Sequence, residues 1–156
     1  MHYMSTKMTL QVNSDSSEQT EQIAENLARH LKGGEVIELT SDLGGGKTTF
    51  TRGLVRGLGS KDRVSSPTFK ICNVYKASNG VNVYHYDFYR LGEAALTEHE
   101  LAEALDDDKS IIVIEWADVV KNVLPQDHLA VQINLTGDSA RQITFNYPAN
   151  LAYLFA

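Results

Sequence analysis

Eight consecutive residues, Asp42-Leu43-Gly44-Gly45-Gly46-Lys47-Thr48-Thr49, have the composition of a loop that grips phosphate. Glycines let successive backbone N–H groups turn inward onto anionic oxygens, and a helix beginning there adds its positive dipole end. A lysine at position 47 reaches the β- and γ-phosphates, and the Thr48 hydroxyl can ligate Mg²⁺. The reading is a nucleoside-triphosphate site. It has one departure: the usual pattern opens with glycine five residues before Gly46, and Ser41 stands there.

A triphosphate site also needs oxygen ligands for its metal, and a hydrolase needs a group that orients water. Glu115 follows the apolar run Ile111-Ile112-Val113-Ile114, so it sits at the tip of a buried strand and is the candidate Mg²⁺ ligand. Asp87, in Tyr84-His85-Tyr86-Asp87-Phe88-Tyr89-Arg90, is the candidate to polarise the attacking water or to share the metal. Its other reading is a turn acid paired with Arg90. His85 reads as a packed, hydrogen-bonded residue more than a catalyst. Thr68, in a loop beyond the phosphate-loop helix, is either a sensor of Mg²⁺ or γ-phosphate, or an ordinary strand-start threonine. Trp116 directly follows Glu115 and packs in the core, lies near the nucleotide or forms a partner surface.

These groups need elements to hold them. Residues 1–7 read as a flexible leader and 8–156 as one domain. Met8 to Asn13 reads as a strand. Asp15 and Glu18 form a capping-box spacing before a helix whose face carries Ile23, Ala24, Leu27, Ala28 and Leu31, stopped by Gly33-Gly34. Glu35 to Thr40 reads as the strand before the loop, and Lys47 to Leu58 as the helix after it, with two costly interior glycines, Gly53 and Gly57. Phe69 to Lys76 and Val81 to Phe88 read as strands joined at Asn79-Gly80. A helix is expected over 93–105, a strand buried on both sides at 111–114, a short helix over 117–123, and a second hairpin from His128 to Leu135 and Gln142 to Tyr147. The sum is an α/β fold with a mixed parallel and antiparallel central sheet, flanked by helices and carrying β-hairpins.

Composition narrows the function further. The 20 acids outnumber 14 bases, a net charge of −6, which argues against autonomous nucleic-acid binding. Lys47, Arg52, Arg56, Lys61 and Arg63 are close in sequence, but only Lys47 is needed by the nucleotide and the others read as solvated. The single cysteine, Cys72, permits no internal disulfide. No apolar run approaches the roughly eighteen residues of a membrane span, and a cytoplasmic setting is the simplest expectation.

Taken together, the order Ser41-Asp42-Leu43-Gly44-Gly45-Gly46-Lys47-Thr48-Thr49, Thr51-Arg52-Gly53-Leu54, Ser66-Pro67-Thr68-Phe69, His85-Tyr86-Asp87-Phe88-Tyr89-Arg90-Leu91 and Ile114-Glu115-Trp116 closely resembles the TsaE (YjeE) family of bacterial P-loop ATPases. The resemblance runs from about Ser17 to Phe145. It implies a P-loop NTPase-like fold and a role in making threonylcarbamoyladenosine on tRNA. It also implies an ATPase that is slow alone, uses ATP and Mg²⁺, and docks on the TsaD and TsaB proteins, meeting tRNA only through them. Carried over by motif, Lys47 and its loop match the phosphate site, Thr48 and Glu115 the Mg²⁺ ligands, and Asp87 the acid assigned to hydrolysis. Thr68 matches a switch-like loop and Trp116 a position beside the nucleotide. Thr20 resembles a position near the base, and Arg141 a C-terminal position near the nucleotide. The stretch Glu98 to Lys109 lacks the family's usual Leu-Gly step. Two other functions fit the same loop: a small-molecule kinase, with Lys61 and Arg63 in a lid, and a nucleotide sensor that does not hydrolyse.

Overall fold

The computed structural model describes residues 7–41, 45–65, 72–88 and 94–156. Its elements are β1 (Lys7–Ser14), α1 (Ser17–Ala28), β2 (Val36–Ser41), α2 (Lys47–Gly57), β3 (Cys72–Lys76), β4 (Asn82–Asp87), α3 (Ala94–Leu105), β5 (Ser110–Glu115), β6 (Leu129–Leu135) and β7 (Arg141–Pro148). The strands form one seven-stranded sheet in the order β1-β7-β6-β2-β5-β4-β3. The centre, β6-β2-β5-β4, is parallel, and each flank is antiparallel. The fold is the mixed α/β sheet that the alternation of strand and helix patterns predicts.

Alternation along the central strands splits the core in two. Ile37 and Leu39 of β2, with Ile111 and Val113 of β5, face Ala24, Leu27, Phe50 and Leu54 of α1 and α2. Val36, Ile112 and Ile114 point the other way, against Leu101 of α3 and Val120. Every residue of β5 is buried, as expected of a strand covered on both sides.

Helix α2, which starts at Lys47 after the Gly46 cap, lies close against α1. The two interior glycines explain how. A Cβ on Gly53 would stand 2.3 Å from the Glu21 carbonyl oxygen, and one on Gly57 would stand 2.7 Å from the Ala28 Cβ. Glycine at both positions lets the backbones touch, and Arg52 and Arg56 close the rim on Glu21 and Glu25 at 3.1 Å.

Several boundaries differ from the sequence reading. The cap of α1 is Ser16, whose hydroxyl accepts from the Gln19 N–H at 3.1 Å, while the Gln19 side chain accepts from the Asp15 N–H at 2.7 Å. The Ser-x-x-Gln pair therefore replaces Asp15 and Glu18. Helix α1 ends at Ala28, short of Gly33. The chain then turns on Gly33 and Gly34, both at positive φ, with the N–H groups of Lys32 and Gly33 donating to the buried Glu35 carboxylate. The helix after Glu115 is only a 3₁₀ turn, Ala117–Val120, and a second 3₁₀ segment, Ala149–Phe155, sends Leu151 and Leu154 into the core. The β3–β4 connection carries a 3₁₀ turn over Ser78–Gly80, with Gly80 at φ 75°. Among the described residues no helix is long and apolar enough to cross a membrane.

Candidate nucleotide site at the strand ends

Ligands of open α/β sheets bind beyond the carboxyl ends of the parallel strands. Three chain segments bring the candidate groups to that edge. β2 runs into the glycine loop, β5 ends at Glu115, and β4 ends at Asp87. The parallel register pairs Asp87 with Glu115, and Glu115 with Leu39. Paired residues of parallel strands share a face, so both carboxyl side chains rise on the side occupied by α2.

Gly46 caps α2 at φ 106°, a backbone conformation that side chains resist. Its carbonyl accepts from the Phe50 N–H at 2.9 Å, which makes Lys47 the first helical residue. That turn directs the Lys47 side chain back across the strand ends. Its Nζ lies 3.5 Å from Glu115 Oε1 and 5.1 Å from the centre of the Trp116 ring. Thr48 and Thr49 follow in the first turn. Trp116 is half-exposed and holds φ 60°, the one positive φ outside glycine among the described residues. A bulky residue held there costs about 1–3 kcal/mol, a strain that clusters at functional sites.

Glu115 is buried, and its second oxygen, Oε2, pairs with His85 Nε2 at 2.5 Å. Burial pushes the Glu115 carboxyl upward, but the His85 hydrogen bond and the attraction of His85 and Lys47 outweigh it. The net result lies below the ordinary value, so Glu115 is held as a carboxylate. A carboxylate oxygen and a threonine hydroxyl are the hard donors that Mg²⁺ takes. Mg²⁺ in such sites needs only one or two protein oxygens because phosphates and water complete its shell. Among the described residues no group of three or more His, Cys, Asp or Glu forms a metal cage.

Arg141, at the start of β7, reaches the glycine loop: its Nε donates to the Gly45 carbonyl at 3.0 Å, and Nη1 donates to the carbonyls of Gly137, Asp138 and Ala140. Thr20 is buried in the first turn of α1 with its hydroxyl 2.6 Å from Ser14 Oγ, and Ser14 pairs with Arg141 in the sheet. Thr20 thus joins the wall behind Arg141 and does not stand open to the strand ends. Asp42, Leu43, Gly44 and Thr68 lie outside the described residues.

Three features escaped the sequence. Tyr75 and Asn73 of β3 hold Ser65, the last described residue before Thr68: Tyr75 Oη and Asn73 Nδ2 donate to its carbonyl at 3.1 and 3.2 Å. A cavity of about 120 Å³ opens between the end of β2 and the 3₁₀ turn, walled by Glu38, Thr40, Ser41, Lys47 and Trp116. A larger one, about 590 Å³, lies beside Thr48 and is lined by Arg52, Arg56, Lys61 and Arg63. The basic residues are thus neighbours in space, but Arg52 and Arg56 are tied to the acids of α1.

A family described as "Threonylcarbamoyl adenosine biosynthesis protein TsaE" matches residues 14–143. A Bacillus subtilis protein named "tRNA threonylcarbamoyladenosine biosynthesis protein TsaE" is 39% identical over 134 residues, spanning 85% of this chain and 82% of its own. A Streptomyces coelicolor protein of the same name is 37% identical over 126 residues, 78% of this chain and 84% of its own. The crystal structure of Bacillus subtilis YdiB superposes with a TM-score of 0.70 at 33% identity, covering 93% of this chain and 89% of that one.

Proposed function

This chain belongs to the TsaE family of tRNA threonylcarbamoyladenosine biosynthesis proteins, and from that premise we propose that it is the Mg²⁺-dependent, ATP-binding and slowly ATP-hydrolysing member of that system. The observation that carries the reading is the meeting of Lys47 and Glu115, 3.5 Å apart, where the glycine turn of α2 and the ends of β4 and β5 converge. An ammonium and a carboxylate at one point are the partners that a phosphate and its divalent cation each require.

In this reading the amides of the loop, Asp42 to Gly46, and the first turn of α2, Lys47 to Thr49, cradle the phosphates. Lys47 stabilises charge on the transferring phosphoryl group. Thr48 and Glu115 hold Mg²⁺, which supplies charge neutralisation when bound. Asp87, beside Glu115 in the register, orients the attacking water. Trp116 lies against the nucleotide, and Arg141 steadies the loop through Gly45. Thr68 reports the γ-phosphate, and Thr20 supports the wall near the base.

The proposed setting is the cytoplasm, where ATP and tRNA meet. The partners are TsaD and TsaB, and the chain's net charge of −6 supports a protein that leaves RNA affinity to them. ATP turnover measured for the chain alone and with the purified TsaD–TsaB pair tests this. Slow turnover that rises on adding the pair is expected. Transfer of phosphate to a metabolite, or no hydrolysis under either condition, would overturn it.

A further inference from the structure

His85 is fully buried, yet only one of its ring nitrogens is used. Nε2 meets Glu115 Oε2 at 2.5 Å, and Nδ1 has no hydrogen-bond partner among the described residues. A buried unpaired nitrogen is unfavourable, and an apolar ring of similar size would fill the space without it. The contact to Glu115 is therefore what histidine adds at this position.

The location fits that purpose. His85 pairs with Val113, two residues before the Asp87–Glu115 pair, and so shares their face of the sheet. The ring is wholly buried and packs against Tyr75 with centroids 6.3 Å apart. It presents one nitrogen to one oxygen. The other oxygen, Oε1, faces Lys47 at 3.5 Å.

We propose that His85 is a positioning residue of the metal site: by occupying Glu115 Oε2 it fixes the carboxylate so that only Oε1 is offered to the divalent cation and to Lys47. This rests on the nucleotide reading above. Groups that orient a ligand from behind change metal affinity by about 10–100-fold when removed.

The test is equilibrium binding of a fluorescent methylanthraniloyl-ATP to the full chain, in Mg²⁺ and in EDTA, with folding checked by circular dichroism. The parent binds more tightly in Mg²⁺. His85→Asn, whose amide cannot reach Glu115, loses about tenfold or more of that gain and keeps its affinity in EDTA. His85→Gln, whose amide nitrogen falls near the position of Nε2, keeps the gain. In a Glu115→Gln background, His85→Asn causes no further loss, because both changes remove one interaction. A folded His85→Asn with the parental gain overturns the proposal, as does a loss that is equal in EDTA, since that marks general damage. Should His85→Asn fail to fold, His85→Gln decides: parental gain supports the proposal and a lost gain overturns it. A parent that binds no nucleotide in either buffer overturns the nucleotide reading itself, and this inference with it.

Discussion

Alanine at Gly53 is expected to destabilise the protein, against the usual rule for helices. In an open helix, glycine to alanine stabilises by about 1 kcal/mol through backbone entropy. Here the added Cβ would stand 2.3 Å from the Glu21 carbonyl oxygen, 2.9 Å from the Glu21 Cα and 2.8 Å from the Ala24 Cβ. Two of those atoms are backbone, so no side chain can swing away, and α2 must retreat from α1 by roughly 1 Å. Overpacking of a tight core costs about 1–3 kcal/mol, and a rigid backbone contact places this case at the upper end. Subtracting the helix gain leaves about 1–2 kcal/mol of net loss. At about 2–4 °C per kcal/mol for a domain of this size, the melting temperature falls by about 2–8 °C. Thermal unfolding by circular dichroism measures it, with Gly137→Ala as control. There the Cβ meets only the Ala140 Cβ at 3.4 Å, and the midpoint should barely move. Adding Ala24→Gly to Gly53→Ala should not restore stability, because the Glu21 carbonyl remains. A Gly53→Ala protein that melts at or above the parent would refute the reasoning, and with it the claim that glycine sets the distance between α1 and the helix bearing Lys47.

Three further expectations concern the site and its surroundings. Asp87→Ala should retain ATP binding and slow hydrolysis by at least about tenfold in a turnover assay; unchanged turnover would remove Asp87 from the mechanism. Trp116 is the only tryptophan and lies 5.1 Å from Lys47 Nζ, so its fluorescence should change on adding ATP and Mg²⁺ in the parent and not in Lys47→Ala. His128 Nε2 pairs with Glu38 at 3.2 Å. The hydrogen bond to Glu38 raises the His128 pKa above 6.5, and the same bond lowers Glu38 below 4.5. The raised histidine contributes stability below pH 6.5 that is lost as pH climbs through its folded value. The depressed Glu38 contributes stability above pH 4.5 that is lost as pH falls through its own. The difference in melting temperature between the parent and His128→Ala should therefore be largest between pH 4.5 and 6.5 and shrink on either side. A difference that grows above pH 7 would contradict the pairing.

What was legible in the sequence was local chemistry. The run Ile111 to Ile114 reads as a strand buried on both faces because no polar residue interrupts it, and β5 is buried throughout. The glycine loop announces the start of α2 because a helix must begin where glycine gives way to Lys47. The unreadable parts are long-range. Asp87 and Glu115 are 28 positions apart, and only the parallel register of β4 and β5 puts them side by side. Period-two alternation places His85 and Glu115 each on one of two faces, but it does not say that the faces coincide. Gly53 and Gly57 look unfavourable in α2 until α1 is seen against them. The shifted cap of α1 has a nearer cause. Asp15 and Ser16 are both good caps, and the structure uses the serine, with Gln19 answering it, so that Thr20 turns inward to Ser14.

The proposed triphosphate site depends on Lys47, and calorimetric titration of ATP with Mg²⁺ into the parent and into Lys47→Ala tests it most directly. Saturable binding at one site is expected for the parent. The variant should bind at least about 30-fold more weakly, matching the roughly 2 kcal/mol or more that follows loss of one side of a buried charge contact. Equal affinities, in a variant that melts like the parent, would contradict the assignment of the glycine turn and its lysine to a triphosphate.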